Sequence, residues 1–335
     1  MYRAEGKGLG GKGVSLGMKI WVLCMLLGLG QGGESRADTL RVLFWNVENF
    51  FDTRADTTRR EGAAFSAGGE RHWGRKKFRT KCQAVAKTIL WTASEKGGLP
   101  DIIGLAEVEN AFVLKQLIQT TALRKLDYRV VHFESPDPRG IDAALLYRSS
   151  RLRLESAKPC HLYQADSTVL PTRDILLASF LGPGGELSVL VNHHPSKFGG
   201  VSASESRRRI AVERLRQLAD SLTAIGRQHL VAMGDFNDTP DNPLFQRLAP
   251  TLVNLAQTLH NQGKGTIKYE GKWELIDLFF VSGSLLPAQM EILQVPFLQT
   301  PDSGHAGTKP LRTYSGPRYL GGVSDHCPIW LTLTF

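Results

Sequence analysis

In this 335-residue chain, acidic residues fall where apolar runs stop. Glu48 follows the run 40–45 and Glu107 ends the run 101–105. Asp235 and Asn237 follow 230–233, Asp277 lies in 275–281, and Asp325 with His326 precedes 329–335. Such runs read as strands, and strand ends converge in space even when they are far apart in the chain. Carboxylates brought together repel unless a cation lies between them. Oxygen donors without a Cys or His cage suit a hard ion such as Mg2+ better than zinc. A strand-end turn or a solvated charge would account for any one of these acids. Taken together, the five positions point to a divalent-metal centre.

The elements that must position these groups follow from the pattern. Further strands are expected at 128–133, 141–147, 175–181 and 187–191, with turn residues between them and a spacing that suits hairpins better than crossovers. Phe78, Cys82, Val85 and Ile89 recur at helical spacing, and a second helix is expected over 110–124. Ser202 and Glu205 read as a capping box opening a third helix, whose apolar face is Ala211, Leu215, Leu218 and Leu222. Residues 53–77, rich in Gly and Arg without an apolar period, read as a long surface loop. Helices between runs of mostly adjacent strands imply two packed sheets with helices outside them. No internal repeat or Pro- or Ser-rich linker divides residues 38–335, so they read as one domain.

Six segments carry a resemblance. They are Trp45-Asn46-Val47-Glu48-Asn49, Gly104-Leu105-Ala106-Glu107-Val108-Glu109-Asn110, Val191-Asn192-His193-His194-Pro195-Ser196-Lys197, Gly234-Asp235-Phe236-Asn237-Asp238, Leu275-Ile276-Asp277 and Ser324-Asp325-His326-Cys327-Pro328. In these motifs and their order the chain resembles the endonuclease/exonuclease/phosphatase superfamily, with its deoxyribonuclease-I-like fold. The resemblance implies an α/β, four-layer sandwich of two packed mixed β-sheets flanked by helices. It also implies that Glu107 is the principal ligand of Mg2+ (or Mn2+), with Asn46 and Glu48 close to the ion and Asp325 a further ligand. Asp235 would orient or deprotonate the attacking water, and Asn237 would hold a phosphate oxygen. His326 would contact the scissile phosphate, with Asp277 holding its far ring nitrogen.

Neighbours on a strand point to opposite faces, so His193 and His194 cannot both reach one site. The family pattern of a histidine directly after Asn favours His193 as the phosphate contact, with His194 the alternative. Lys197 is a phosphate partner on the same reading, or a surface lysine. Phe279-Phe280 stand near a position where many relatives carry an aromatic hydroxyl. Gly6 and Gly11-Lys12 imitate a phosphate loop, but Gly13 follows and no strand precedes them.

Lys19 and the apolar stretch 20–30 after Met18, followed by Ser35-Arg36-Ala37, read as a signal peptide cleaved before Asp38. Residues 1–17 then read as a start assigned upstream of the true Met18, and the mature protein as exported. No apolar run reaches the roughly 18 residues of a membrane span. The full chain has a net charge of +9, and about +6 remains beyond residue 37. That surplus suits nucleic acid or anionic headgroups, although solubility alone would account for it. Cys82, Cys160 and Cys327 allow at most one internal disulfide. Arg207-Arg208-Arg209 read as a solvated helix face or a nucleic-acid contact, and Tyr269, Trp273, Tyr314 and Tyr319 as packing groups or stacking platforms.

The expected function is metal-dependent hydrolysis of phosphate esters by a monomer, most of all a phosphodiesterase acting on nucleic acid. The alternatives are hydrolysis of inositol phosphates, sphingomyelin or other phospholipid, and, in another class, a non-catalytic binding module on the same fold.

Overall fold

The computed structural model describes residues 38–197 and 200–335. The leader expected over 1–37 lies outside them. Numbered along the chain, the first eight strands are β1 (Thr39–Phe50), β2 (Ile102–Val108), β3 (Tyr128–His132), β4 (Asp142–Arg148), β5 (Arg153–Cys160), β6 (Ile175–Gly182), β7 (Gly185–His193) and β8 (His229–Asp235). After β9 (Val253–Asn254) and the hairpin β10 (Ile267–Tyr269) and β11 (Lys272–Glu274) come β12 (Asp277–Val281) and β13 (Gln289–Ile292). Two short ladders, β14 (Gln299–Pro301) with β15 (Thr308–Pro310) and β16 (Tyr314–Ser315) with β17 (Arg318–Tyr319), precede β18 (Ile329–Thr334). The helices are α1 (Arg75–Glu95), α2 (Ala111–Gln119), α3 (Val201–Ala224) and α4 (Gln257–Asn261).

Two six-stranded sheets form, in the orders β13-β18-β1-β2-β4-β3 and β5-β6-β7-β8-β12-β9. Both are mixed, because β1 runs parallel to β2 and β7 parallel to β8 while the other neighbours are antiparallel. Side chains alternate faces along a strand, and β1 shows what that does. Leu40, Val42 and Phe44 join the core shared with β6, β7 and β8, whereas Leu43, Trp45 and Val47 pack with α1 and α2. Continued two residues at a time, the first set brings Asn46 and Glu48 to the seam between the sheets. On the far side, Ala211, Leu215, Leu218 and Leu222 of α3 close the second sheet. The result is the expected four-layer α/β sandwich.

Some local expectations are corrected. The segment 53–77 is not merely a surface loop. It buries Phe65 and Trp73, and Phe65 stacks on Phe51 at 4.5 Å and meets Tyr314 edge-on at 5.9 Å. Two isolated aromatics among Gly and Arg have no period to reveal them. The helix expected over 110–124 stops at Gln119, and a separate 3-10 turn covers Ala122–Lys125. Helix α3 begins at Val201 after Gly200, which places Ser202 inside the first turn and not at the cap. Strand β5 is an edge strand carrying Arg153, Glu155 and Lys158, and polar edges of this kind blur the apolar alternation. Cys82, Cys160 and Cys327 are buried free thiols. Among the described residues no helix is long and apolar enough to cross a membrane.

At Gly234, just before Asp235, a Cβ would lie 2.2 Å from the backbone oxygen of Asn192 and 2.7 Å from its Cβ. Backbone cannot yield as a flexible side chain can. Gly234→Ala should therefore destabilise the fold by about 1–3 kcal/mol through forced separation of β7 and β8. Chemical denaturation measures this, and an unchanged midpoint would contradict the close approach.

Candidate active site

The seam between the two sheets ends in a polar cluster. Asn46 on β1 donates its side-chain N–H to Asp235 Oδ2 on β8 at 3.0 Å, joining the sheets, and its own Oδ1 accepts Glu48 N–H at 3.0 Å. Trp45 Nε1 donates to the carbonyl of His326 at 2.9 Å, while Ser324 Oγ donates to the carbonyl of Asn46 at 2.6 Å. The loop leading into β18 is thereby tied to β1. Register pairing sets Asp277 opposite Asp235 and His193 beside it. The strand ends that the sequence singles out thus meet.

His326 Nδ1 lies 2.8 Å from Asp277 Oδ2, and its Nε2 faces Asp235 Oδ2 at 3.8 Å and Asp325 Oδ1 at 3.9 Å. Ligand-type atoms of Asp235, Asp277 and His326 all lie within 4.8 Å of one another. Asp277 already occupies one ring nitrogen, so this trio reads as an oriented imidazole between two acids and not as a metal cage. Burial alone would lower the His326 pKa. Asp277, through charge and hydrogen bond, together with Asp235 and Asp325, instead holds it well above the usual histidine range. Asp235 is pushed up to about 7, chiefly by burial, with Asp277 adding and His326 opposing.

Glu107 accepts the Asn49 N–H at 2.8 Å, with its other oxygen 3.6 Å from Arg139 and 4.0 Å from His193 Nε2. Glu48 is held by Arg312 at 3.2 Å and by the Thr313 N–H at 2.8 Å, and Arg312 also reaches Asp325 at 3.0 Å. Even with these cations, burial and then Asp325 lift Glu48 to about 7. Buried Lys81 donates to the Glu48 carbonyl and, at 2.8 Å, to Thr313 Oγ1. Burial lowers its pKa to about 8 against the pull of Glu48 and Glu107.

The backbone is unusual at the same places. Glu48 (φ 47°), Asn49 (φ 51°), Glu107 (φ 63°) and Asn237 (φ 51°) all adopt the left-handed conformation. Each costs on the order of 1–3 kcal/mol in a non-glycine residue and persists where surroundings over-determine it. Here β1 and β2 lose regular register, between Asn46 and Phe50 and between Leu105 and Val108, while β8 has just ended at Asp235.

His193 and His194 separate as strand alternation requires. His193 Nε2 lies 3.7 Å from Asp235 Oδ2. His194 is buried against Phe236 at 4.7 Å, and neither of its ring nitrogens has a hydrogen-bond partner. Asn237 accompanies Asp235, its N–H on Asp235 Oδ1 at 2.9 Å and its side-chain N–H on the His194 carbonyl at 3.0 Å. Lys197 is not brought to the carboxylates and pairs with Asp238 at 3.3 Å. Arg208 is buried on Asp238 at 2.9 Å, leaving Arg207 and Arg209 exposed. Tyr314 and Tyr319 pack on each other, and exposed Tyr269 lines a cavity beside His326.

Arg139, Arg312, Lys81 and Arg173 were not singled out by sequence. Lys81 was the legible one, since it interrupts the apolar stripe of Phe78, Cys82 and Val85. The arginines sit in loops without any period. Arg173 bridges Asp137 at 3.0 Å to the His194 carbonyl at 2.7 Å.

Residues 41–334 match the model of a family described as Endonuclease/Exonuclease/phosphatase family. No curated protein matches the chain. Among solved structures, truncated Caenorhabditis elegans TDP2 is 16% identical with a TM-score of 0.58, the match covering 89% of this chain and 98% of that one. A Bacteroides thetaiotaomicron mannosyl-6-phosphatase is 15% identical with a TM-score of 0.57, covering 88% of this chain and 100% of that one. D. rerio TDP2 complexed with single strand DNA product is 15% identical with a TM-score of 0.52, the match covering 89% of this chain and 100% of that one. At such identities the likeness shows the fold.

Burial, then Arg173 and Arg208, lower the His194 pKa to about 3, so the folded protein excludes a proton that the unfolded chain binds below about 6.5. The stability this lends is full above 6.5 and is lost progressively as pH falls toward 3. His194→Phe should flatten that acid decline, as read by denaturation midpoints at stepped pH. An equally steep decline would contradict the assignment.

Proposed function

The chain belongs to the Endonuclease/Exonuclease/phosphatase family, and we propose that it is a divalent-metal-dependent phosphodiesterase of nuclease type, acting on nucleic acid by in-line attack of water. The observation that carries this reading is the set Asp277–His326–Asp235, in which one imidazole is oriented by a buried carboxylate while its free nitrogen faces a second carboxylate at 3.8 Å. Asp235 would receive the proton of the attacking water, helped by a pKa near neutrality and held in place by Asn46. His326, protonated, would donate to a phosphoryl oxygen, and Asp277 keeps that proton on the ring. Asn237 has a second amide N–H beyond the one given to His194, and that group would hold a phosphate oxygen. Burial, then Arg173 and Arg139, push His193 well below the usual histidine range, so it would act as a neutral donor.

The donor set fits a hard dication. Glu48, Glu107, Asp325 and the Asn46 amide offer oxygen donors at one end of the cleft, and burial, then Asp325, lifts Glu48 although Lys81 and Arg312 adjoin it. Glu107, Glu48, Asn46 and Asp325 would hold Mg2+ or Mn2+. Such an ion would stabilise charge on the phosphoryl and leaving oxygens. Substrate extent supports a diester. A cavity of about 420 Å³ with Arg60, Arg71, Arg139 and Tyr314 adjoins one of about 380 Å³ with Lys268, Tyr269, Lys309 and His326, and both share Arg312. Basic residues outnumber acids in both linings, four to three (Glu48, Glu61 and Glu70) in the first and three to one (Asp325) in the second, which favours an anion continuing past the scissile bond. The D. rerio neighbour with its single strand DNA product is consistent with that choice. The apolar stretch after Met18 and the residues before Asp38 support export.

Purified protein assayed with Mg2+ on plasmid DNA, RNA, inositol phosphates and sphingomyelin should cleave nucleic acid and lose the activity to a chelator. Cleavage of lipid or of inositol phosphate alone would overturn the nuclease reading. Asp235→Asn and His326→Ala should each lower kcat by at least about 100-fold. Metal-dependent activity unchanged in either variant would overturn the site assignment, and a wild type inactive on every substrate would leave a binding module. Asp277→Asn removes the carboxylate that retains the His326 proton, so the alkaline limb of kcat/KM should move to lower pH, and an unmoved limb would exclude that role.

A further inference from the structure

Outside the cleft, the base of the β3–β4 loop gathers His132, Glu134 and Asp142, whose ligand-type atoms lie within 4.8 Å of one another. The register pairs His132 with Ala144. Continued two residues, it sets Glu134 opposite Asp142, so that all three share one face of the sheet. The His132 side chain is 3% exposed, and its Nε2 is buried without a hydrogen-bond partner. That nitrogen nevertheless lies 3.2 Å from Asp142 Oδ2. Two groups so close that do not hydrogen-bond are aimed past each other. Lone pairs converging on one ion do this, since adjacent tetrahedral ligands at about 2.0–2.1 Å from zinc stand about 3.3 Å apart. The second Asp142 oxygen is fixed by the Ser135 N–H at 2.9 Å, and Glu134 is exposed at the mouth. Burial, then Asp142, raises the Glu134 pKa, with His132 and Arg59 opposing.

We propose that His132, Glu134 and Asp142 form a second metal site, separate from the catalytic cleft, that takes a borderline divalent transition ion, Zn2+ in particular. One imidazole with two carboxylates selects such an ion over Mg2+, which prefers oxygen alone. The ion closes the base of the loop 133–141. That loop carries Arg139, which reaches Asn49 Oδ1 at 2.9 Å and Glu107 at 3.6 Å, and Asp137, which pairs with Arg173. The site is thus a brace behind the cleft.

The test is Zn2+ retention by the full chain after gel filtration in excess Mg2+, read by elemental analysis together with the thermal midpoint. Wild type should retain Zn2+ and melt higher with it. His132→Ala and Glu134→Gln should each weaken retention by about ten-fold or more, as loss of a ligand costs at least what loss of its supporting partners does. Glu107→Gln, which alters the cleft, should retain the ion. Should His132→Ala fail to fold, exposed Glu134→Gln decides the matter. No retention by wild type, retention unchanged in Glu134→Gln, or loss only in Glu107→Gln would overturn the site.

Discussion

Carboxylates crowded into a dry seam have to be offset by positive charge, and much of this molecule is arranged around that constraint. Glu48, Glu107, Asp235, Asp277 and Asp325 meet where two sheets end. Arg139, Arg312, Lys81 and the His326 imidazole are drawn in among them. Burial, more than any neighbouring charge, lifts both Glu48 and Asp235 to about 7. A site left in that condition favours whatever brings positive charge, and it keeps Asp235 poised near neutrality.

Backbone geometry makes the crowding possible. Left-handed residues interrupt the regular register of β1 at Glu48 and of β2 at Glu107, and Asn237 follows the end of β8. The strain is supported by groups outside the chemistry, namely the Trp45 indole on the His326 carbonyl, Ser324 on the Asn46 carbonyl and Lys81 on the Glu48 carbonyl. The side-chain bond from Asn46 to Asp235 joins the two sheets at the site. Packing of α1 and α2 behind β1 therefore bears on the position of the clustered acids, although neither helix carries one of them.

Legibility varied with the range of the interaction. Strands β2, β4, β6, β7 and β8 were readable because buried strands concentrate apolar residues, and Asp235 and Glu107 were readable because they interrupt such runs. β5 was not, because an edge strand with Arg153, Glu155 and Lys158 has no apolar face to repeat. Phe65 and Trp73 looked like loop residues because their partners Phe51 and Tyr314 lie elsewhere in the chain. Lys197, read from its place after the histidines as a phosphate partner or a surface lysine, pairs with Asp238 at 3.3 Å.

By itself the sequence determined the two-sheet architecture and the set of acids and imidazoles available for chemistry, since periodicity and strand-end polarity are local properties of the chain. Which histidine turns inward, which arginines approach the acids and which carboxylates are most deeply buried were decided only in three dimensions. Those outcomes depend on register, loop path and burial, and each of these is set by residues far away in sequence.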